Sequence, residues 1–427
     1  MGTHIINAPW ILSQTGRLVH QGYPRLAIPA LYVHDLTGTP DAKRLLSQPP
    51  PIHPRTSQVL PRLRHFAPGV AAQLIEKDDE VKQIPFKLIT TSPYWKPEHV
   101  QRFVAISYCW HGVDWEVPSR FNAHQPDWEF PVSPAMLKAV LLHHTTDCGS
   151  TSHFALWIDQ ICIDQENADE KYHAIANLDI IYRNAVEVDI LLEDVDMNFE
   201  EESALHFLSA EDIVYDDDTD VKEEQALHSL PMKQSEFGPL RSLNLVGKDL
   251  AEEIHDCCEA GYGDALVCIM MKIFESRWST RAWCRHEYML NSDATFVLVG
   301  QRYTCIALDP ETFPEIHSQL ENNKVELKDL GLIPAFQDFS FGINDRSTDY
   351  TTQGCLFELF VQLEGLNCSF ERDIISISLN ASGIRLSCRG NIARQRECRH
   401  VLAMIALSAG DAFVLGANGL PMSEKDD

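Results

Sequence analysis

The chain has 427 residues, which at roughly 150 per domain suggests two or three domains, or one enlarged by insertions. Hydrophobic residues make up 44% and aromatic residues 9%, enough for a sizeable core and too much for a disordered chain. Lys and Arg number 35 against 62 Asp and Glu, a formal charge of −27 that repels nucleic acid and anionic membranes, so no nucleic-acid partner is expected.

The charge is unevenly spread. Fifteen carboxylates lie between Asp189 and Glu224 against Lys222 alone, a net −14 and about half of the total. The stretch reads as a solvated acidic insertion over about 194–247. The longest apolar runs, such as Ala265–Met271 and Val401–Leu407, fall far short of the ~20 residues of a membrane span. The start, MGTHIINAPW, lacks a basic segment followed by a long apolar one, and Ile6 stands where a myristoylation motif asks for Ser or Thr. A cytoplasmic location is expected.

Twelve cysteines form no CxxC pair, and reduced thiols are the expectation. His255-Asp256-Cys257-Cys258 is a weak metal candidate. Adjacent residues on a helix point about 100° apart, and no second ligand pair follows at zinc spacing. No metal site is expected.

Residues 1–100 read as an irregular extension broken by Pro49, Pro50, Pro51, Pro54, Pro93 and Pro97. The apolar pieces Leu26–Val33 and Phe86–Thr90 suit edge strands or a small subdomain. Phe103–Cys109 is a short, β-branched and aromatic run that reads as a buried strand, with a loop beginning at Trp110-His111-Gly112. Ser133 and Pro134 open a helix that carries Met136, Val140, His143 and His144. Phe154–Ile158 is a second strand. From Asn167 to Ala185 the apolar positions Ile175, Leu178, Tyr182 and Ala185 mark one face of a helix. Val186–Leu192 reads as a third strand. After the acidic insertion, Lys248–Phe274 and Arg281–Asn291 look helical, and Thr295–Gly300 is a fourth strand. Beyond 305 the periodicity is mainly helical. Alternating strands and helices with short connections predict an α/β fold with a parallel sheet and helices on both faces.

Ligands in such sheets sit outside the carboxyl ends of the strands. There the chain places Ser107, Trp110, His111 and Gly112, then Asp159, Gln160, Asp164 and Gln165. Asp164 or Gln165 equally suits a helix cap. In Arg277–Glu287, Ser279 or Thr280 suits a cap, and Trp283 and Glu287 share a helix face one turn apart. Burial would raise the Glu287 pKa, whereas Arg281 or Arg285 would lower it. Gly261-Tyr-Gly263 has no third glycine in register, and no serine-hydrolase elbow, phosphate loop or HExxH occurs. Cys109 and His111 flank the end of a strand, where nothing holds them as a dyad.

Three segments, FVAISYCWHG (103–112), LWIDQICIDQENADEKYHAIANLDIIYRNA (156–185) and RWSTRAWCRHE (277–287), resemble the signature blocks of the fungal heterokaryon-incompatibility (HET) domain, in the family's order. Trp157-Ile158-Asp159, Cys162–Gln165, Glu170 and Tyr182–Ala185 carry the middle block. Glu371–Ile374 echoes a block that often follows these domains. The chain departs from the family at Ile106, Asp164 and His286, usually Leu, Asn and Gln, and inserts His111 between Trp110 and Gly112.

The resemblance implies a flavodoxin-like, TIR-like domain over 101–303, between the 1–100 extension and a mainly helical region over 304–427. It further implies a cell-death or self/non-self effector. Some TIR domains cleave NAD at the nicotinamide–ribose bond with a glutamate in a W-x-x-x-E pattern, which here is Trp283 to Glu287. By that likeness Glu287 is the catalytic candidate. Ser107, Trp110, Gly112, Asp159 and Trp283 are the substrate-binding candidates, with NAD as substrate and no resident cofactor. Two alternatives stand: a non-enzymatic module acting by homo-oligomerisation or with a partner incompatibility protein, and a scaffold recruited for another small-molecule reaction. A chain of this length is expected to act as an effector alone or as one partner of a pair.

Overall fold

A computed structural model describes residues 30–78, 81–95, 99–110, 130–146, 153–208, 242–245, 251–291, 293–300, 305–310, 370–390 and 394–411. It also describes 3–5, 17–18, 26–27, 313, 316, 318–320, 359, 363, 366–368 and 392. The strands are β1 (Thr3–Ile5), β2 (Arg17–Leu18), β3 (Leu26–Ala27), β4 (Tyr32–Asp35), β5 (Leu74–Glu76), β6 (Lys87–Thr90), β7 (Val100–Tyr108), β8 (His153–Trp157), β9 (Glu187–Leu191), β10 (Ser242–Asn244), β11 (Ala294–Val299), β12 (Cys305–Leu308) and β13 (Leu386–Cys388). Nine of them form one sheet in the order β1-β4-β6-β8-β7-β9-β11-β12-β10.

The centre of that sheet is parallel. β7 pairs with β8 through Val104 and Leu156 and with β9 through Ala105 and Val188, and β9 pairs with β11 through Ile190 and Phe296. Taken in chain order, these four strands lie 2-1-3-4, the order of flavodoxin-like doubly wound sheets. Phe103, Val104, Ala105 and Ile106 are all buried, because a central parallel strand is covered on both faces. β12 then returns antiparallel to β11. At the other edge the apolar pieces of the N-terminal stretch do add strands, β4 pairing with β6 and β6 with β8, all antiparallel.

The helices are α1 (Pro40–Leu45), α2 (Thr56–Phe66), α3 (Pro68–Ala71), α4 (Pro134–Thr146), α5 (Asp159–Cys162), α6 (Ala168–Ala176), α7 (Leu178–Asn184), α8 (Phe199–Leu208), α9 (Ala251–Glu259), α10 (Gly263–Phe274), α11 (Ala282–Leu290), α12 (Arg372–Ala381) and α13 (Gln395–Ala409). Ser133 caps α4 as expected, its Oγ accepting from Met136 N at 3.3 Å. The single helix expected over Asn167–Ala185 is instead two, because Asn177 leaves helical geometry (φ −125°, ψ 17°) and its Nδ2 donates to His173 O. The one expected over Lys248–Phe274 breaks at Gly261, whose φ of +89° suits glycine.

The start of the acidic stretch is only partly solvated, with Asp196 and Glu200 exposed. α8 buries Glu201 and Glu202, and Lys272 Nζ of α10 pairs with Glu201 at 2.7 Å. Residues 209–241 lie outside the described residues.

A second core forms where distant segments meet. Val59, Leu60 and Leu63 of α2 pack with Ile375, Leu379, Val401 and Ile405 of α12 and α13, and with Ala282 and Met289 of α11. β5 pairs antiparallel with β13. Beneath them Lys77 Nζ donates to Asp179 Oδ1 of α7 at 2.9 Å and to Asn380 Oδ1 of α12 at 3.0 Å, all buried. Among the described residues no helix is long and apolar enough to cross a membrane.

Candidate functional site

The strand order reverses between β7 and β9, and their carboxyl ends open the crevice where doubly wound sheets hold ligands. β7 delivers Ser107, Tyr108 and then Cys109 and Trp110 to this point. Ile158 alone separates β8 from α5, which puts Asp159 at the crevice in the first turn of a short helix. α11 supplies Cys284 and Glu287, α7 supplies Tyr182, and the turn before α11 supplies Arg277, Trp278 and Arg281.

Asp159 is tightly held. Its Oδ1 accepts from the Tyr108 hydroxyl at 2.8 Å and from Gln160 N at 2.7 Å, and its Oδ2 accepts from Trp110 Nε1 at 2.7 Å. Burial raises its pKa, while these three donors and Arg281 pull the other way.

Glu287 sits deeper. Trp278 Nε1 donates to Ser107 Oγ at 2.7 Å, which leaves the Ser107 hydroxyl to hydrogen-bond the Glu287 carboxyl. The Tyr182 hydroxyl bonds the same carboxyl. Trp278 is itself fixed edge-on against Phe296 of β11, with ring centroids 5.4 Å apart. Burial pushes the Glu287 pKa up to about 8; the Ser107 and Tyr182 bonds lower it and the Asp159 charge raises it. The free site therefore holds two carboxyl groups that compete for protons, with Glu287 protonated near neutrality.

Cations gather around these acids. Arg277 Nη2 donates to Trp110 O at 3.4 Å, while its backbone N–H donates to Asp194 Oδ2 at 2.7 Å. Lys171 Nζ lies 5.9 Å from the Trp110 ring centroid, and Arg281 acts on Asp159 through its charge. The Glu287 carboxyl is buried between hydroxyls, and the partly buried Trp110 indole and Asp159 have three partly buried cations about them. Such a set can stack a flat ring, bind an anionic linker and stabilise a developing cation.

Four of the residues singled out in the sequence, Ser107, Trp110, Asp159 and Glu287, meet here. Gly112, like His111, lies outside the described residues. Trp283 points elsewhere: its Nε1 donates to Asp373 Oδ2 of α12 at 3.0 Å, and it packs against both cores. The turn of α11 that Trp283 shares with Glu287 therefore divides its duties, one residue to the seam and the other to the crevice.

Asp164 and Gln165 serve the loop. Asp164 Oδ1 accepts from Glu166 N, Gln165 Nε2 donates to Asp159 O, and Asn167 caps α6. Ser279 and Thr280 do not cap α11; their hydroxyls donate back to Ile273 O and Arg277 O. His286 is fully buried with neither ring nitrogen partnered among the described residues, and burial, Arg183 and Lys77 press its pKa down to about 3.

Sequence reasoning passed over Tyr108, Tyr182 and Trp278 as site members. All three lie inside the signature blocks, but an apolar-run reading treats aromatic residues there as core, and only their polar ends take part.

A family model described as Heterokaryon incompatibility protein (HET) matches residues 103–287. The matched span opens on β7 and closes on Glu287, so it encloses the crevice residues described above. Neither the curated proteins nor the solved structures yield a match.

Proposed function

Because residues 103–287 form a heterokaryon-incompatibility domain, we propose that the protein is a self/non-self effector that promotes cell death by hydrolysing NAD at the nicotinamide–ribose bond. Glu287 is its key carboxylate. The observation that carries this reading is the position of Glu287: buried at the switch point of the sheet, bonded by Ser107 and Tyr182, and close to Asp159.

In this reading the Trp110 indole offers a face for a flat heterocycle, and Arg277, Arg281 and Lys171 offer charge for the pyrophosphate. NAD brings a pyridinium cation beside Glu287, which favours the ionised form and turns a protonated group into a carboxylate. That carboxylate orients the ribose hydroxyls and stabilises the positive charge that grows at the anomeric carbon as the C–N bond breaks. The bond pair leaves with nicotinamide, water adds to the anomeric carbon, and a proton is released. A contribution of ~3–5 kcal/mol corresponds to roughly a 10²–10⁴-fold effect on rate.

Nicotinamide release from NAD by purified protein at high concentration tests the proposal, with wild type beside Glu287→Ala and Glu287→Gln. Release by wild type and loss of ~10²-fold or more in folded variants supports it. Absence of release from folded protein, even crowded into assemblies, shifts the reading to a non-enzymatic assembly module.

A further inference from the structure

A second cluster of titratable groups lies away from the crevice, toward the amino end of β9. Glu187 and Asp189 are two residues apart on that strand, so their side chains share one face. α4 covers this face and ends there with His143 and His144, whose ring centroids are 4.6 Å apart. His143 Nε2 lies 3.0 Å from Glu187 Oε1, and His144 Nε2 lies 2.9 Å from Asp189 Oδ2. One ligand atom from each of the four residues falls within 4.8 Å of all the others.

We propose that His143, His144, Glu187 and Asp189 form a structural site for one divalent transition-metal ion of the zinc type. Several observations converge on it. Two imidazoles with two carboxylates are a donor set for zinc and its neighbours, whereas calcium and magnesium favour all-oxygen sets. The carboxylates balance the charge of a dication. Metal–ligand bonds of ~2.0–2.2 Å place tetrahedral ligands about 3.3–3.6 Å apart, so the two short pairs are already near bonding separation and the widest must close by about 1 Å.

The hydrogen bonds within the cluster leave it incomplete. Asp189 is fully buried, yet its Oδ1 has no hydrogen-bond partner among the described residues. A buried carboxylate oxygen without a donor is unfavourable, and a cation would satisfy it. An outer contact also exists: Thr295 Oγ1 donates to Glu187 Oε1 at 2.6 Å and fixes that carboxylate. His143, His144 and Asp189 are all less than a tenth exposed, and the half-buried Glu187 leaves the route of access. Four protein ligands leave no open position, so the ion would clip α4 to β9 and would not do chemistry.

The test uses the full chain, stripped with a chelator and titrated with Zn²⁺ by calorimetry, with thermal melts in Zn²⁺ and in Mg²⁺. Wild type is set beside His144→Gln, Asp189→Asn and a Cys257→Ser, Cys258→Ser control. The expected result is about one Zn²⁺ per chain, a rise in Tm with Zn²⁺ but not Mg²⁺, and at least 10-fold weaker binding in both ligand variants but not in the cysteine control. Glu187→Gln, at the most exposed ligand, gives the same reading should the buried variants fail to fold. No stoichiometric binding by wild type, or binding equally tight in folded ligand variants, would overturn the proposal. Neither outcome depends on NAD turnover.

Discussion

The Trp110 indole N–H donates to Asp159 Oδ2 at 2.7 Å while the Tyr108 hydroxyl takes Oδ1 of the same carboxylate. One acid thereby ties the end of β7 to the first turn of α5 and sets the orientation of the indole at the rim. Orientation of Trp110 and the charge near Glu287 are coupled through this single side chain.

Asp159→Asn alters both, and KM and the pH profile read the two effects apart. An amide presents one acceptor and one donor, so either Tyr108 or Trp110 loses its partner and the indole is held less firmly. On the proposed NAD hydrolysis, KM for NAD should rise about 10-fold, the value of roughly one lost hydrogen bond to a charged group. Removing the negative charge also lowers the Glu287 pKa, because Asp159 raises it. The acid limb of the kcat/KM profile should move to lower pH. A profile that keeps its position in the variant would sever the coupling.

Glu287 also makes stability depend on pH. Its pKa is about 8 in the fold against 4.5 for the ordinary side chain, so between these values the native state holds a proton the unfolded chain has lost. Stability then falls as pH rises from about 4.5 to about 8 and levels off above, by the sign of the linkage relation. Glu287→Gln removes the penalty. Urea melts should show the variant close to wild type near pH 5 and more stable by about 2–4 kcal/mol near pH 9. Equal differences at both pH values would mean that Glu287 is not held protonated in the fold.

The Lys77–Asp179 pair tests the seam between the two cores. With both side chains almost fully buried, removing one partner strands the other charge. Lys77→Met should lose ~3–5 kcal/mol of stability in denaturant melts, and adding Asp179→Leu should recover most of it. A single variant as stable as wild type would show that the pair does not join the cores.

Local chemistry determined a good deal by itself. Buried apolar runs mark β7, β8, β9 and β11, because strands covered on both faces must be apolar throughout. Their alternation with helices implies a parallel sheet, and Ser107, Trp110 and Asp159 fall at the carboxyl ends of its strands. Glu287 stands out in the sequence through the W-x-x-x-E likeness that pairs it with Trp283, although the structure gives that tryptophan to Asp373 instead.

What spacing does not encode is which distant elements meet. α2 and β5 join α12, α13 and β13 across about three hundred residues, and the N-terminal strands extend the sheet. Asn177 splits a helix that periodicity draws as continuous, since a side-chain bond to His173 O is invisible to an apolar pattern. Only the fold decides that Tyr182 and Ser107, 75 residues apart, share the Glu287 carboxyl. The cluster of His143, His144, Glu187 and Asp189 has the same origin. Its ligands lie about forty residues apart, far from any zinc spacing, and converge because the end of α4 packs over β9. Burial then sets the pKa values, since desolvation depends on everything that surrounds a group and not on its neighbours in the chain.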